Sequence, residues 1–525
     1  MELQTILTFL SRNLNRWPEF LLALVCFLSI RWYRKHKNEI SLRWPILDVL
    51  PTLLLNAHRI HSWTVEIANK FGSTIEGRGP VFGRLDILFT CDPRNVEYML
   101  KTNFANFPKG PELIEAFNIL GDGIFNVDYD LWREQRRMAN VNFASKDFRN
   151  FVARVSRTVV EDGLLPLLVH AAKHESVVDL EDVFMRFAFD NMFMVVFGRN
   201  SNHLSVNLPP NELAEAIDDG TEGVFYRHVM PKLWWKVLGW LKLGSEKKLA
   251  DARKTIDRIL SEQVALKKEE LRRGEHGSDL ITMYITALSK GRHNIKQLST
   301  AKDDDVFLRD TALSFLFAGR DTTGTSLSWF FWFVSTNPRV EAKILEELND
   351  VMSRKKNEKN GMSRVEGPLV FDPEDLKELV YLHAALCESL RLCPPLPITR
   401  RGVVRKDVLP DGTVVKPGMQ ILISMYAMGR MDYVWGKDYG EYKPERWIDA
   451  DGKLNQETLS KLFSFIVGPR SCPGKNMAFT QMKAAAATVL FNFHIEVLNG
   501  HDIFPMPSMV LHTKNGLVVK VTERV

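Results

Sequence analysis

Cysteine is scarce in this 525-residue chain: Cys26, Cys91, Cys387, Cys393 and Cys472 are all there is, at spacings that suggest no framework. An odd, scattered set excludes a disulfide scaffold and points to a reducing compartment. No Asn-x-Ser/Thr acceptor with a permitted middle residue occurs, which favours the cytosol for the bulk of the chain. The 13 histidines show no His-Glu-x-x-His spacing, so a zinc-hydrolase helix is excluded. Charge of one sign is also lacking. A formal net charge of +5 is too small for nucleic acid and suits at most docking to an acidic protein or an anionic membrane. There is no internal repeat, no low-complexity tract and no apolar run of the about 20 residues that a full membrane span needs.

What is present reads as a folded protein, with 45% hydrophobic and 25% charged residues. The apolar run Phe20–Ile30 is followed at once by the basic stretch Arg31–Lys37. No small-x-small cleavage site follows it, so residues 1–33 are predicted to be a signal anchor, not a cleaved leader. The positive-inside rule then places everything after Arg31 in the cytosol. Residues 34–52, with Trp44-Pro45 and Pro51, are predicted to form a basic, stiffly extended hinge. Residues 53–525 form one catalytic domain in which helical patterns dominate and strand-like runs are short. The polar stretches 290–305 and 353–368 are predicted loops. One helix stands out over Phe307–Thr336, apolar almost all round and stopped by Asn337-Pro338. Arg320 and Asp321 at its middle argue against lipid and for a helix buried through a large domain, with something polar happening at the break.

The strongest motif is Phe465–Gly474, FIVGPRSCPG; its specified positions match by chance on the order of once in ten thousand chains of this length. Three weaker patterns accompany it: Glu388-Ser-Leu-Arg391, Pro444-Glu-Arg446-Trp447, and Ala318-Gly319-Arg320-Asp321-Thr322-Thr323 at the polar break. Trp132 and Arg136 lie at i and i+4 on one helical face. Together these resemble the cytochrome P450 family, in its order and at its usual separations, from about Trp44 to the C-terminus.

The resemblance implies a mainly α fold with small β-sheets and one molecule of heme b. Cys472 would be the metal ligand, a proximal thiolate that promotes O–O cleavage. Gly468 and Gly474 let the backbone turn and approach the porphyrin, and backbone N–H groups tune the sulfur. Phe465 covers the sulfur side, and Arg470, Trp132 and Arg136 meet the propionates. Glu388, Arg391 and Arg446 form a charge-assisted network that braces the loop, with Trp447 a tolerable exchange for the commoner Phe. Asp321 and Thr322 relay protons during oxygen activation, and Gly319 leaves room for dioxygen. Electrons come from NADPH through cytochrome P450 reductase, docking near Arg470 and Lys475 at the endoplasmic reticulum membrane.

A narrower likeness is to a plant branch that hydroxylates long aliphatic chains, alkanes and fatty acids. It is carried by Asn106–Gly110, Gly121–Asn126, Ala318–Phe331, Tyr426–Arg430 and His512–Gly516. The same subfamily contains amaryllis-type enzymes that couple the phenols of an O-methylated norbelladine to make noroxomaritidine. The chain departs from the aliphatic pattern at Ile398-Thr399-Arg400-Arg401. Phe117, Ile119, Leu120 and Phe125 are candidates for a greasy channel, and Ile398 and Thr399 for substrate contact, with Thr399 suited to a phenol. An oxygen-independent heme isomerase is disfavoured by the acid–alcohol pair. A heme sensor without turnover is the alternative outside enzymes.

Overall fold

Helical periodicity is realised along most of the chain in a computed structural model that describes residues 17–36, 49–78, 86–290, 303–358 and 367–524. Helix α1 (Trp17–His36) contains the apolar N-terminal run and continues through the basic residues beyond it. Among the described residues no helix is long and apolar enough to cross a membrane. The predicted extended hinge is not seen where it is described. Residues 34–36 finish α1, residues 37–48 (with Trp44-Pro45) lie outside the described residues, and Pro51 sits in the first turn of α2 (Leu50–Asn56). A proline there loses no helical hydrogen bond, because first-turn N–H groups have no partner within the helix.

The body is built from α3 (Tyr129–Ala144), α4 (Leu180–Phe197), α5 (Glu212–Val229), α6 (Lys232–Leu241), α7 (Gly244–Arg272), α8 (Asp304–Ser335), α9 (Pro338–Glu358), α10 (Val380–Leu392) and α11 (Lys475–Asn492). Helix α8 is the predicted central helix. It starts three residues earlier than the apolar pattern, because the Asp303 carboxylate accepts from the Asp305 amide and acidic residues fill the first turn. Asp304 and Asp305 are therefore helical and not loop, while residues 291–302 lie outside the described residues. The second predicted loop is likewise shorter. Residues 353–358 prolong α9, since Lys, Arg and Glu are good helix formers even without an apolar stripe; residues 359–366 lie outside the described residues.

Helix α8 is buried because α4 packs along it. Phe184 stacks on Phe331 at 4.9 Å, and a Cβ on Gly319 would come within 2.2 Å of the Met192 sulfur. Gly319 thus makes room for a methionine of α4. This corrects the expectation that its missing side chain leaves space for dioxygen.

The sheets are small. Strands β1 (Thr74–Arg78), β2 (Asp86–Thr90), β4 (Ile398–Gly402) and β5 (Gln420–Ser424) form one sheet in the order β1-β2-β5-β4. In it β2 and β5 are parallel and the other pairs antiparallel. A second sheet, β3 (Val177–Asp179), β7 (Val518–Glu523) and β6 (Phe493–Val497), closes the far end. The first sheet delivers residues 398–402 to the side of the body where the loop 463–474 also lies.

Candidate functional site

The loop before α11 is shaped by one glycine. Gly468 has φ +76°, and a Cβ there would lie 2.0 Å from the Leu100 carbonyl oxygen, so only glycine fits. Gly474 has an ordinary backbone conformation; what it contributes is its amide. The Cys472 amide donates to the Phe465 carbonyl at 2.8 Å, closing the loop across the motif. Phe465 packs on Phe479 of α11 at 5.4 Å.

Cys472 is exposed at its surface, yet surrounding protein is the leading influence on its thiol and pushes it up. The Gly474 amide, then Arg136 and Lys475, act in the opposite sense and favour the thiolate. Cys393 differs: it is closed within a cluster of Trp329, Tyr426 and Leu511, and burial pushes it up to about 11.

Beneath the loop the structure brings Glu388, Arg391 and Arg446 together, with Glu388 between the two arginines, which do not bond to each other. Glu388 and Arg391 of α10, both fully buried, pair bidentately at 2.7 and 2.8 Å. Arg446 donates to Glu388 at 3.1 Å and to Asp438 at 2.8 Å. The Lys443 amide donates at 3.0 Å. The Trp447 indole N–H adds a 2.9 Å bond to Glu388 from a wholly buried ring. Trp447 is therefore more than an aromatic exchange: it supplies a donor that phenylalanine lacks.

On the loop's other flank lie Trp132 and Arg136 of α3. The Arg470 guanidinium lies 4.4 Å from the Trp132 ring centroid and donates to Asp128 at 2.5 Å and to the Val127 carbonyl at 2.9 Å. It is turned inward, so of the two residues named for docking a reductase only Lys475 remains available. Arg136 reaches the Ser471 hydroxyl at 3.4 Å. Two further cations join this cluster: Lys109, and Arg401, for which the sequence left a contact with heme or with substrate open. Arg401 of β4 is buried and its guanidinium is pulled down to about 10 by that burial. Burial, with Arg470 and Arg401 close by, pulls the Lys109 ammonium well below its usual range. Their convergence depends on the Gly402 amide donating to the Pro108 carbonyl at 2.9 Å, a long-range contact that no local pattern announces. Arg401 was visible only as one of two adjacent arginines, and Lys109 only as part of a subfamily segment.

The middle of α8 presents the acid–alcohol pair. Gly319, Arg320, Asp321 and Thr323 are buried, whereas Ala318 and Thr322, one turn apart, are half-buried and share a face. Thr322 donates to the Ala318 carbonyl at 2.6 Å. Arg320 grips Asp218 of α5 at 2.5 and 3.0 Å and donates to Asp321 at 3.0 Å. Burial raises the Asp321 carboxyl despite the Arg320 charge, and its Oδ2 finds no partner among the described residues.

Between α5 and α8 lies a small hollow of about 20 Å³ walled by Phe117, Ile119, Leu120, Ile217, Val224 and Phe317, among others. The predicted channel residues Phe117, Ile119 and Leu120 meet there; Phe125, Ile398 and Thr399 are not on its wall. Phe125 lies beside Lys109, 5.7 Å from its ammonium. The Thr399 hydroxyl accepts from Arg401 at 3.1 Å.

The cytochrome P450 family model matches residues 41–521. The chain belongs to the cytochrome P450 family. Such enzymes use heme-thiolate and reductase-supplied electrons, so this chain is an oxidoreductase. It is 38% identical to alkane hydroxylase MAH1 of Arabidopsis thaliana over 98% of this chain and 99% of that protein. Equal identity, 38%, links it to noroxomaritidine synthase 2 of Narcissus aff. pseudonarcissus MK-2014 over 97% of each chain. It is also 38% identical to cytochrome P450 86B1 of Arabidopsis thaliana, over 96% of this chain and 90% of that protein.

The residues of this P450 fit heme on their own chemistry. The Nε atoms of Arg136, Arg401 and Arg470 are buried without partners among the described residues, and Lys109 adds a fourth cation where Asp128 is the compensating acid. A buried cationic excess with unused donors is unfavourable unless an anion completes it. A ligand with two carboxylates would do so, and the Cys472 sulfur would supply a thiolate to its iron.

Proposed function

We propose that this P450 hydroxylates a long-chain aliphatic substrate of the alkane or fatty-acid type, with Cys472 as the thiolate ligand of heme b. The observation that carries the substrate reading is the wall of the α5–α8 hollow. It is apolar throughout except for Thr221, whose hydroxyl already donates to the Ile217 carbonyl at 2.9 Å. A chain without polar groups leaves nothing on such a wall unpaired.

Bound heme supplies the iron at which two electrons and two protons reduce dioxygen, one oxygen atom entering a C–H bond and the other leaving as water. The protein's own part is to hold and to move protons. Arg136, Arg401, Arg470 and Lys109 hold the propionates, and the Gly474 amide favours the thiolate. Asp321 takes up a proton at its unpaired Oδ2, and the Thr322 hydroxyl, once released from the Ala318 carbonyl, would pass a proton on from the half-buried face of α8. Phe465 shields the sulfur side, and Glu388, Arg391 and Arg446 keep the loop in place.

The same reading puts the chain on the endoplasmic reticulum membrane through residues 1–33, with residues 53–525 in the cytosol. The apolar run in α1 supports it, as does α6, which has no buried residue and exposes Leu233, Trp234 and Trp240 beside lysines. Such a helix suits the interfacial layer of a bilayer. If protein lacking residues 1–33 resists carbonate extraction as fully as the whole chain, the anchor lies elsewhere.

A second reading, oxidative C–C coupling of an O-methylated norbelladine, is favoured by the similarity to noroxomaritidine synthases. There two substrate radicals join and no oxygen is inserted. Its weakness is that Thr399, the polar contact it would use, is not on the wall of the hollow. Substrate-induced spin-state titrations separate the two. Long alkanes and fatty acids should bind and turn over; tight binding and turnover of the phenol alone would overturn the aliphatic reading.

A further inference from the structure

Ile217, Thr221, Val224 and His228 follow one another on α5 at steps of four, three and four, so they form one stripe of that helix. The first three line the hollow, and His228 ends the stripe. Its ring meets the Phe117 ring edge-on, with centroids 5.1 Å apart, and Phe117 is itself part of the wall. Nδ1 lies 2.8 Å from the Val224 carbonyl. A carbonyl only accepts, so Nδ1 carries the hydrogen and Nε2 keeps a lone pair. That Nε2 is buried and has no partner among the described residues, which is costly in an apolar setting unless something completes it. Burial and the neighbouring Arg400 hold the ring down to about 4, so it is neutral at physiological pH. Arg400 is itself engaged by Glu112 and Gln420, each at 3.2 Å.

We infer that His228 is a specificity-determining residue whose Nε2 accepts a hydrogen bond from a substrate O–H, with Phe117 turning aside to admit it. The substrate is then a long apolar molecule carrying a hydroxyl far from the carbon oxidised. Asp218, gripped by Arg320 beside the acid–alcohol pair, and His228 are separated along α5 by about 15 Å at 1.5 Å per residue. The inference rests on the apolar-chain reading and sharpens it. An aliphatic alcohol and a phenol share this donor, and the choice between them is experimental.

The test is spin-state titration of the heme-loaded full chain with an alkane, the primary alcohol and fatty acid of equal length, and an O-methylated norbelladine. Wild type should bind the primary alcohol about tenfold more tightly than the alkane; tight binding of the phenol alone would overturn the aliphatic reading on which the inference rests. In His228→Phe that preference should vanish while alkane affinity stays within about twofold, and His228→Gln should restore part of it. Phe117→Ala, which uncovers Nε2, should widen the preference. An unchanged alcohol-to-alkane ratio in His228→Phe, or alkane affinity falling in step with alcohol affinity, would overturn the inference. Should His228→Phe fail to fold, an unchanged ratio in Phe117→Ala overturns it equally. Tight fatty-acid binding lost in Arg400→Gln and kept in His228→Phe would also overturn it and place recognition at Arg400. Binding of alkanes without any hydroxyl preference sinks only this inference; no response to any chain sinks the aliphatic reading beneath it.

Discussion

Two buried carboxylates of this P450 sit beside arginines, and they are treated in opposite ways. Glu388 receives Arg391, Arg446, Trp447 and a backbone amide, so both its oxygens are fully used. Asp321 receives one bond from Arg320 and keeps Oδ2 unpaired among the described residues. The completed network is a brace: a buried ion pair that is fully hydrogen-bonded has one arrangement and keeps it. The incomplete one stores no such order. In the proposed mechanism its free oxygen takes up a proton, and the free guanidinium atoms around the loop would meet a carboxylate-bearing cofactor.

Breaking the brace should have the largest effect. Arg391→Ala leaves Glu388 buried with half its charge partners gone, a loss of about 3–5 kcal/mol. The protein should lose most of its heme, measured as heme per chain and as the thiolate band of the reduced CO spectrum. Retention of both would mean the network is dispensable. On the other side of the comparison, Thr322→Ala should leave heme content and substrate spin shift intact while peroxide released per NADPH rises about tenfold, because a positioned proton donor has gone. Unchanged coupling would reduce Thr322 to a packing residue.

A gentler perturbation is acid. His61, His203 and His228 are held down to about 4 and His383 to about 3, in each case chiefly by burial. Their folded values lie below the unfolded 6.5, so the unfolded chain binds more protons as pH falls. Stability is full above pH 6.5 and should decline from there towards pH 4. His512, raised by Glu181 against the effect of burial, acts in the opposite sense. The melting temperature measured from pH 7.5 to 4.5 checks this; a flat response down to pH 5 would contradict it. The smallest effect belongs to Trp447→Phe, which keeps the shape and removes one of five bonds to Glu388, for about 1.5 kcal/mol. A denaturant midpoint equal to wild type would show that the indole bond is idle.

The family, the thiolate loop and the central helix were legible in the sequence because each is a local pattern: residues within ten positions of one another, or one long apolar helix. What was not legible depends on contacts far apart in the chain. Trp447 looked like a neutral exchange because its partner Glu388 is 59 positions away. Gly319 was assigned to dioxygen because nothing local reveals that Met192 fills its space. Arg401 and Lys109 join the cationic cluster only after β4 is laid against the segment at Pro108. His228 carried no motif, and its meaning comes from where α5 places it.

The central claim is that Cys472 supplies the axial thiolate. The most direct measurement is the reduced, CO-bound absorption spectrum of full-length protein with Cys472→Ala, beside Cys393→Ala as the control. The thiolate-type Soret shift should vanish in the first and persist in the second; its survival in Cys472→Ala would contradict the account.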